Sequence, residues 1–89
     1  MFINKSKEGR NNLCGITVSQ YRKAKDLSQR ELADRLQLLG LDIDKNAVQR
    51  IESGQRFVTD IELVYLSKAL DLSYSDLLDQ EKPLISSEE

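Results

Sequence analysis

The sequence contains no histidine and no tryptophan, and it has one cysteine and one proline among its 89 residues. Histidine is the most frequent general base and a frequent metal ligand, so its absence removes the usual means of building a hydrolytic or zinc site. The sequence also lacks a glycine-rich phosphate loop, residues at metal-ligand spacing and a nucleophile beside a base. We therefore expect no enzymatic activity, no metal and no cofactor.

Cysteine and long apolar stretches are also scarce. Cys14 has no second cysteine with which to form an internal disulfide, which is typical of a reducing, intracellular compartment. Without a histidine to activate it, Cys14 is predicted to be a buried or half-exposed small residue with no reactive role. No apolar stretch reaches the length of a signal peptide or a membrane span. We expect a cytoplasmic protein with no membrane contact.

Charge is distributed unevenly along the chain, although the formal net charge is only −2. Residues 1–30 carry a net charge of +5, residues 31–60 carry −2 and residues 61–89 carry −5. Such a dipolar molecule could present one positive face to phosphates. Ordinary solvated surface charge explains the distribution equally well, so charge alone leaves both interpretations open.

A helix-start pattern occurs four times in the sequence. A capping residue has an apolar residue just before it and another four places after it, and the four capping residues are Ser28, Asp44, Thr59 and Ser73. Glu31 and Glu62 are placed to complete a capping box, whereas Asp76 is expected to be too short to complete one well. Apolar residues follow each start at helical spacing, and β-branched residues do not alternate as in strands. The pattern predicts an all-α fold.

The predicted domain has five helices, over about residues 16–25, 29–39, 45–53, 60–70 and 74–79. Gly40 is expected to end the second helix in left-handed geometry, with Leu41 placed against Leu36. The inward residues of helices 1, 2 and 4 are predicted to be Val18, Tyr21, Leu32, Ala33, Leu36, Leu39, Ile61, Leu63 or Val64, Leu66 and Leu70.

The ends of the chain are polar and are predicted to lie outside this domain. We expect residues 1–12 to form a flexible amino-terminal arm, 13–79 the folded domain and 80–89 an acidic tail. Within the tail, Leu84 and Ile85 are apolar and are expected either to pack on the domain or to contribute to a dimer.

Three segments of the sequence carry residues that occur together, in this order, in one family of small domains. They are Val18-x-x-Tyr21-Arg22 with Leu27-Ser28-Gln29-x-Glu31-Leu32-Ala33, then Val48-Gln49-Arg50-Ile51-Glu52-Ser53-Gly54, and then Leu66-Ser67-Lys68-Ala69-Leu70-Asp71-Leu72-Ser73 with Leu77-Leu78. Together they resemble the Cro/C1-type (XRE-like) helix-turn-helix family over about residues 13–79. The resemblance implies a compact five-helix domain of the lambda-repressor type, whose third helix, at about residues 44–53, enters the DNA major groove.

The same resemblance implies a function. A small transcriptional regulator, expected to be a repressor, would bind double-stranded DNA as a homodimer, with no small-molecule ligand evident. It would be encoded by a bacterium or a phage and associated with the nucleoid. One departure concerns the connection from helix 2 to helix 3, because twelve positions separate Leu36 from Val48. We interpret the excess as an extra turn of helix 2 plus a loop over residues 40–43.

Helix 3 carries the residues predicted to read bases. With Val48 and Ile51 inward, a rotation of about 100° per residue points five polar residues outward: Lys45, Asn46, Gln49, Arg50 and Ser53. This face contains no carboxylate, and arginine suits guanine while asparagine and glutamine suit adenine. We predict base contacts from Lys45, Asn46, Gln49 and Arg50. A plain solvated face is the alternative, but the helix-turn-helix setting favours base reading.

The edges of this face carry the residues predicted to contact phosphates, which are Gln29, Arg30, Ser53 and Arg56. Gln29 matches a position that the family commonly uses at the DNA backbone, near the positive end of helix 2. Exposed surface charge explains Arg30 equally well. The resemblance implies that Arg22 pairs with Glu52 and ties the recognition helix to the core, so these two residues are given structural roles.

A protein-interaction module is the competing interpretation. The same fold could hold a protein partner, as an antitoxin or a regulatory adaptor subunit, and the acidic carboxyl end would suit that role. A protein-binding surface more often exposes a large apolar or aromatic patch. The outer face of helix 3 has none.

Overall fold

Five helices make up the fold of the protein in a computed structural model, which describes residues 5–6 and 9–79. They are α1 (Gly15–Ala24), α2 (Gln29–Leu39), α3 (Lys45–Ser53), α4 (Asp60–Leu70) and α5 (Tyr74–Leu78). No strand occurs in this part of the chain, and the all-α prediction is confirmed. None of these helices has the length and apolar character needed to cross a membrane. The predicted acidic tail, with Leu84 and Ile85, lies outside the described residues.

Local capping explains where α2 to α5 begin. Each predicted capping side chain accepts a hydrogen bond from the backbone N–H three residues later, at 2.9–3.2 Å, and these acceptors are Ser28, Asp44, Thr59 and Ser73. The expectation that Asp76 is too short for a capping box is wrong. Its Oδ2 accepts from the Ser73 N–H at 3.1 Å, the distance at which Glu62 accepts from Thr59. The first helical turn brings the two residues close enough for the shorter side chain to reach.

The core forms where α1, α2, α3 and α4 meet, and α5 closes it against α1 and α4. Its most deeply buried side chains include Val18, Leu32, Leu36, Val48, Ile51, Leu66, Leu70 and Leu77. Within this arrangement α3 packs on α1 and α2 through Ala47, Val48 and Ile51. The opposite side of α3 is therefore left uncovered by the rest of the described fold.

Three residues predicted to point inward are exposed. Leu39 is 44% exposed because it lies in the last turn of α2, beyond the core that Leu36 reaches. Ile61 is 64% exposed because, at about 100° per residue, it lies about 140° around α4 from the buried Leu66. Tyr21 is 40% exposed because Arg22, four residues after Val18, takes the buried position on α1. Leu63 and Val64 are both half-buried.

The longer connection between α2 and α3 is an ordered loop. Gly40 has φ +114°, its N–H donates to the Gln37 carbonyl and the Leu41 N–H donates to the Leu36 carbonyl at 2.9 Å. This is the helix end predicted from the sequence. The Gln37 side chain then donates to the carbonyl of Ile43, which is buried in the core. The loop therefore fixes where α3 starts.

Candidate nucleic-acid interface

The uncovered face of α3 is the feature that best suits nucleic acid. Its exposed residues are Lys45, Asn46, Gln49, Arg50 and Ser53. The one carboxylate within α3 belongs to Glu52, and its side chain is turned away from this face and is 7% exposed. The exposed face of α3 thus combines two cations with two side-chain amides and carries no negative charge of its own.

The side chains of this face are free to bind something else. Within residues 5–6 and 9–79, no hydrogen bond engages the side chain of Lys45, Asn46, Gln49 or Arg50. Because an arginine fork matches guanine O6 and N7, and a side-chain amide matches adenine N6 and N7, these free groups are of the kind that read base edges. Ser53 donates only to the Arg50 carbonyl of its own helix.

A buried ion pair holds α3 against α1. Arg22 Nε lies 2.6 Å from Glu52 Oε2, and Arg22 Nη2 donates to Glu52 Oε1 at 3.1 Å, so the contact is bidentate. The third nitrogen, Nη1, donates to the Leu27 carbonyl at 2.7 Å. The side chains of Arg22 and Glu52 are 10% and 7% exposed. These are the two residues that the family resemblance pairs.

Gln29 is attached to the same carboxylate. Its Nε2 donates to Glu52 Oε1 at 3.0 Å, which places the first residue of α2 beside the last turn of α3. A carboxamide nitrogen has two N–H groups, and one of them remains for another acceptor. The residue is also at the positive end of α2, where an anion is favoured. The arrangement suits the predicted phosphate contact, which stays a prediction.

Arg56 forms an ion pair that the sequence did not predict. Its Nη2 lies 2.8 Å from Oε2 of Glu62, while Oε1 of the same carboxylate completes the Thr59 capping box. Arg56 and Arg50 border one shallow depression, together with Asp42 and Asp44. Arg30, the remaining phosphate candidate, borders another with Lys45. Arg56 therefore reaches the edge of the α3 face already paired with an acid.

Residues 10–12, predicted to belong to a flexible arm, are instead hydrogen bonded to the end of α3. The side chains of Arg10, Asn11 and Asn12 donate to main-chain carbonyls between Ile51 and Arg56 at 2.7–3.2 Å. The sequence gives little sign of this, because the partners lie about forty residues apart and polar contacts have no periodicity. The run of three long or amide side chains before α1 is the one available signal.

Cys14 lies in the core at the amino-terminal side of α1. Burial raises the pKa of its thiol to about 11, so the side chain is protonated and a poor nucleophile at neutral pH.

Comparison with known proteins assigns the class of this domain. A family model described as helix-turn-helix matches residues 18–77, which is most of the described chain. The chain therefore belongs to the helix-turn-helix family of the Cro/C1 (XRE-like) type. It is thus a DNA-binding regulator of transcription, from a family that is generally without enzymatic activity.

A solved structure supports the same class. The chain is similar to the restriction-modification controller protein C.AhdI from Aeromonas hydrophila, with 34% sequence identity and a TM-score of 0.64. The similarity covers 76% of this chain and 96% of that one. The comparison with curated protein sequences gave no match.

Proposed function

We propose that the protein is a sequence-specific transcriptional repressor that places α3 in the major groove of double-stranded DNA. The observation that carries this proposal is the exposed, carboxylate-free face of α3, where the side chains of Lys45, Asn46, Gln49 and Arg50 have no partner in the described fold. An α-helix with its side chains is about 10–12 Å across, which fits a major groove about 12 Å wide. The buried contacts of Val48, Ile51 and Glu52 hold the opposite side of the helix.

Four residues of this face are assigned to base reading. Arg50 offers a bidentate fork to guanine, and Asn46 and Gln49 offer carboxamides to adenine. Lys45 is the first residue of α3 and adds its charge to the positive end of the helix dipole, at the edge of the groove. Because a plain solvated face would also leave these side chains unpaired, it is the helix-turn-helix setting that favours base reading.

Phosphate contacts are assigned to the residues around this face. Gln29 donates its second N–H from the start of α2, and Arg30 and Ser53 lie at the edges. Arg56 uses the guanidinium N–H groups that do not bind Glu62. Because Glu62 neutralises part of its charge, Arg56 contributes less to phosphate binding than an unpaired arginine would.

Two copies of the domain are needed for an extended site. We assign a homodimer that binds a pseudo-palindromic duplex, with half-site centres about one helical turn apart. The protein would act in the cytoplasm on a bacterial or phage genome. The similarity to a restriction-modification controller protein favours a regulatory task of the same kind, which is control of restriction and modification genes.

Selection from random duplexes followed by salt-titrated binding tests the proposal. We expect one pseudo-palindromic sequence to be enriched, with affinity falling by about 0.9 log units per log unit of salt for each phosphate neutralised. Lys68→Ala is the matched control, because Lys68 is an exposed cation on α4, away from α3. Failure to enrich any duplex at low salt would contradict the proposal and favour the protein-interaction module.

A further inference from the structure

The carbonyl groups at the end of α3 are bound by a segment that precedes the helical domain. We call residues 10–12 the strap. Arg10 Nη2 donates to the carbonyls of Ile51 and Glu52 at 3.2 and 2.9 Å, and Asn12 Nδ2 donates to Ile51 at 3.0 Å. The last carbonyls of any helix have no partner inside the helix. In α3 the strap supplies partners for the carbonyls of Ile51 and Glu52, and the Ile51 carbonyl also accepts from the Gly54 N–H.

The strap also binds the turn that follows α3. The Asn11 N–H donates to the Gly54 carbonyl at 2.7 Å, and its side chain donates to the Gln55 carbonyl at 2.8 Å. The Asn12 side chain donates to the Arg56 carbonyl at 2.7 Å. Both the last turn of the recognition helix and the three residues beyond it are therefore held by the same short segment.

Two glycines make room for these contacts. A Cβ on Gly15 would collide with the carbonyl oxygen of Ile51, and a Cβ on Gly54 would lie 2.9 Å from Cγ and Cζ of Arg10. Gly54 also has φ +86°, a conformation that favours glycine. The guanidinium of Arg10 thus sits against the negative end of the α3 dipole, where a cation is stabilising.

The strap is distinct from the elements that make the domain fold. The hydrophobic core includes no strap residue, and the helix-turn-helix match begins only at residue 18. The residues that the strap holds, however, are next to those assigned to DNA. Ile51 and Glu52 follow Arg50 directly, and the bound carbonyl of Arg56 belongs to a predicted phosphate contact.

We propose that the strap is a positioning element, and Arg10 its main positioning residue, which fixes the carboxyl-terminal half of α3 for base reading. This proposal rests on the proposed function. Arg10 acts through the helix, without touching DNA. Its loss should let the end of α3 and the following turn move, so that base contacts weaken while phosphate attraction remains.

The experiment compares Arg10→Ala with wild type and Lys68→Ala on the selected duplex and a scrambled duplex, across a salt series. We expect Arg10→Ala to weaken specific binding about tenfold or more, since it removes hydrogen bonds from a charged donor. Non-specific binding and the salt slope should match the control. Arg10→Lys, which keeps the charge and can donate to the same carbonyls, should recover part of the specificity ratio.

Hydrogen exchange provides a readout that does not depend on DNA. The N–H groups of Gln55 and Arg56 donate to the Arg50 carbonyl, and they should exchange faster in Arg10→Ala while core amides of α1 and α2 do not. Asn11→Ala keeps the backbone bond to Gly54 and should show the same changes to a smaller extent. It replaces Arg10→Ala in the experiment if that variant does not fold.

Several outcomes would overturn the proposal. Equal weakening on both duplexes, with a salt slope lower by about one contact, would make Arg10 a phosphate contact. An unchanged specificity ratio despite faster exchange would make the strap merely structural. If the wild-type protein selects no duplex, the proposed function is refuted instead. This outcome is distinguishable, because the Gln55 and Arg56 amides would still exchange faster in Arg10→Ala.

Discussion

Replacing Glu52 by leucine tests how α3, the proposed recognition helix, is held. The Glu52 carboxylate accepts from Arg22 Nε and Nη2 and from Gln29 Nε2, at 2.6, 3.1 and 3.0 Å. After the substitution, Arg22 keeps only its bond to the Leu27 carbonyl, and its side chain is 10% exposed, so water replaces little of what is lost. Removing one partner of a buried pair costs about 3–5 kcal/mol.

The low end of that range applies because Arg22 retains one hydrogen bond. We expect Glu52→Leu to lower the free energy of unfolding by about 3 kcal/mol and Tm by on the order of 15 °C. Urea unfolding followed by far-UV circular dichroism measures the loss, and an unchanged m-value shows that both states remain comparable. Asp34→Ala, at an exposed carboxylate on α2, is the control and should change stability by less than about 0.5 kcal/mol.

The double variant sharpens this test. Arg22→Met combined with Glu52→Leu removes both charges and fills the space with apolar side chains, so it should be more stable than either single variant. The resulting coupling free energy should be about 1–3 kcal/mol. Strictly additive losses would show that the two side chains do not interact in solution. A loss below about 0.5 kcal/mol in Glu52→Leu would refute the reasoning about burial.

Three further substitutions test other parts of the site. Arg50→Ala should cost about 1–3 kcal/mol on the selected duplex and relax preference at one base pair, and an unchanged preference would contradict its assignment. Glu62→Gln keeps an oxygen for the capping box but removes the negative charge that is paired with Arg56. All duplexes should therefore bind more tightly, and their affinity should fall more steeply with salt. An unchanged salt slope would mean that Arg56 does not reach phosphate. Gly15→Ala should destabilise the domain in thermal melts because its methyl group meets the Ile51 carbonyl, whereas helix propensity alone predicts a gain of about 0.5–1 kcal/mol.

Local chemistry made most of the fold predictable. The four capping residues mark helix starts because a side-chain oxygen and a free N–H three residues later are close in sequence. The end of α2 was equally predictable, since Gly40 and Leu41 donate to carbonyls only three to five residues earlier in the chain. The exposed face of α3 followed from the inward pair Val48 and Ile51, because helical geometry then fixes every other direction.

Contacts between distant polar groups were not predictable in the same way. The bonds from Arg10 and Asn12 to the end of α3 join residues about forty positions apart, and no apolar pattern marks them. The ion pair of Arg56 with Glu62 spans six residues across a turn, so it has no helical spacing to reveal it. Residue type alone also failed to predict burial at Ile61, an apolar residue near the start of α4 that was assigned to the core and is exposed.

The net charge of −2 overstates the negative charge at the proposed interface, because the carboxylates of Glu52, Glu62 and Asp44 are engaged inside the fold. The Glu52 carboxylate accepts three donors inside the fold, and that of Glu62 is shared between Arg56 and a capping N–H. Asp44 accepts from the first turn of α3 itself, where its charge offsets the positive end of the helix. Lys45 and Arg50, by contrast, have no ion pair in the described part of the chain. Since screening limits charge effects to about 8–10 Å, phosphates bound at this face as proposed would respond to the nearby charges, which are these two cations and the exposed Asp42, more than to the total.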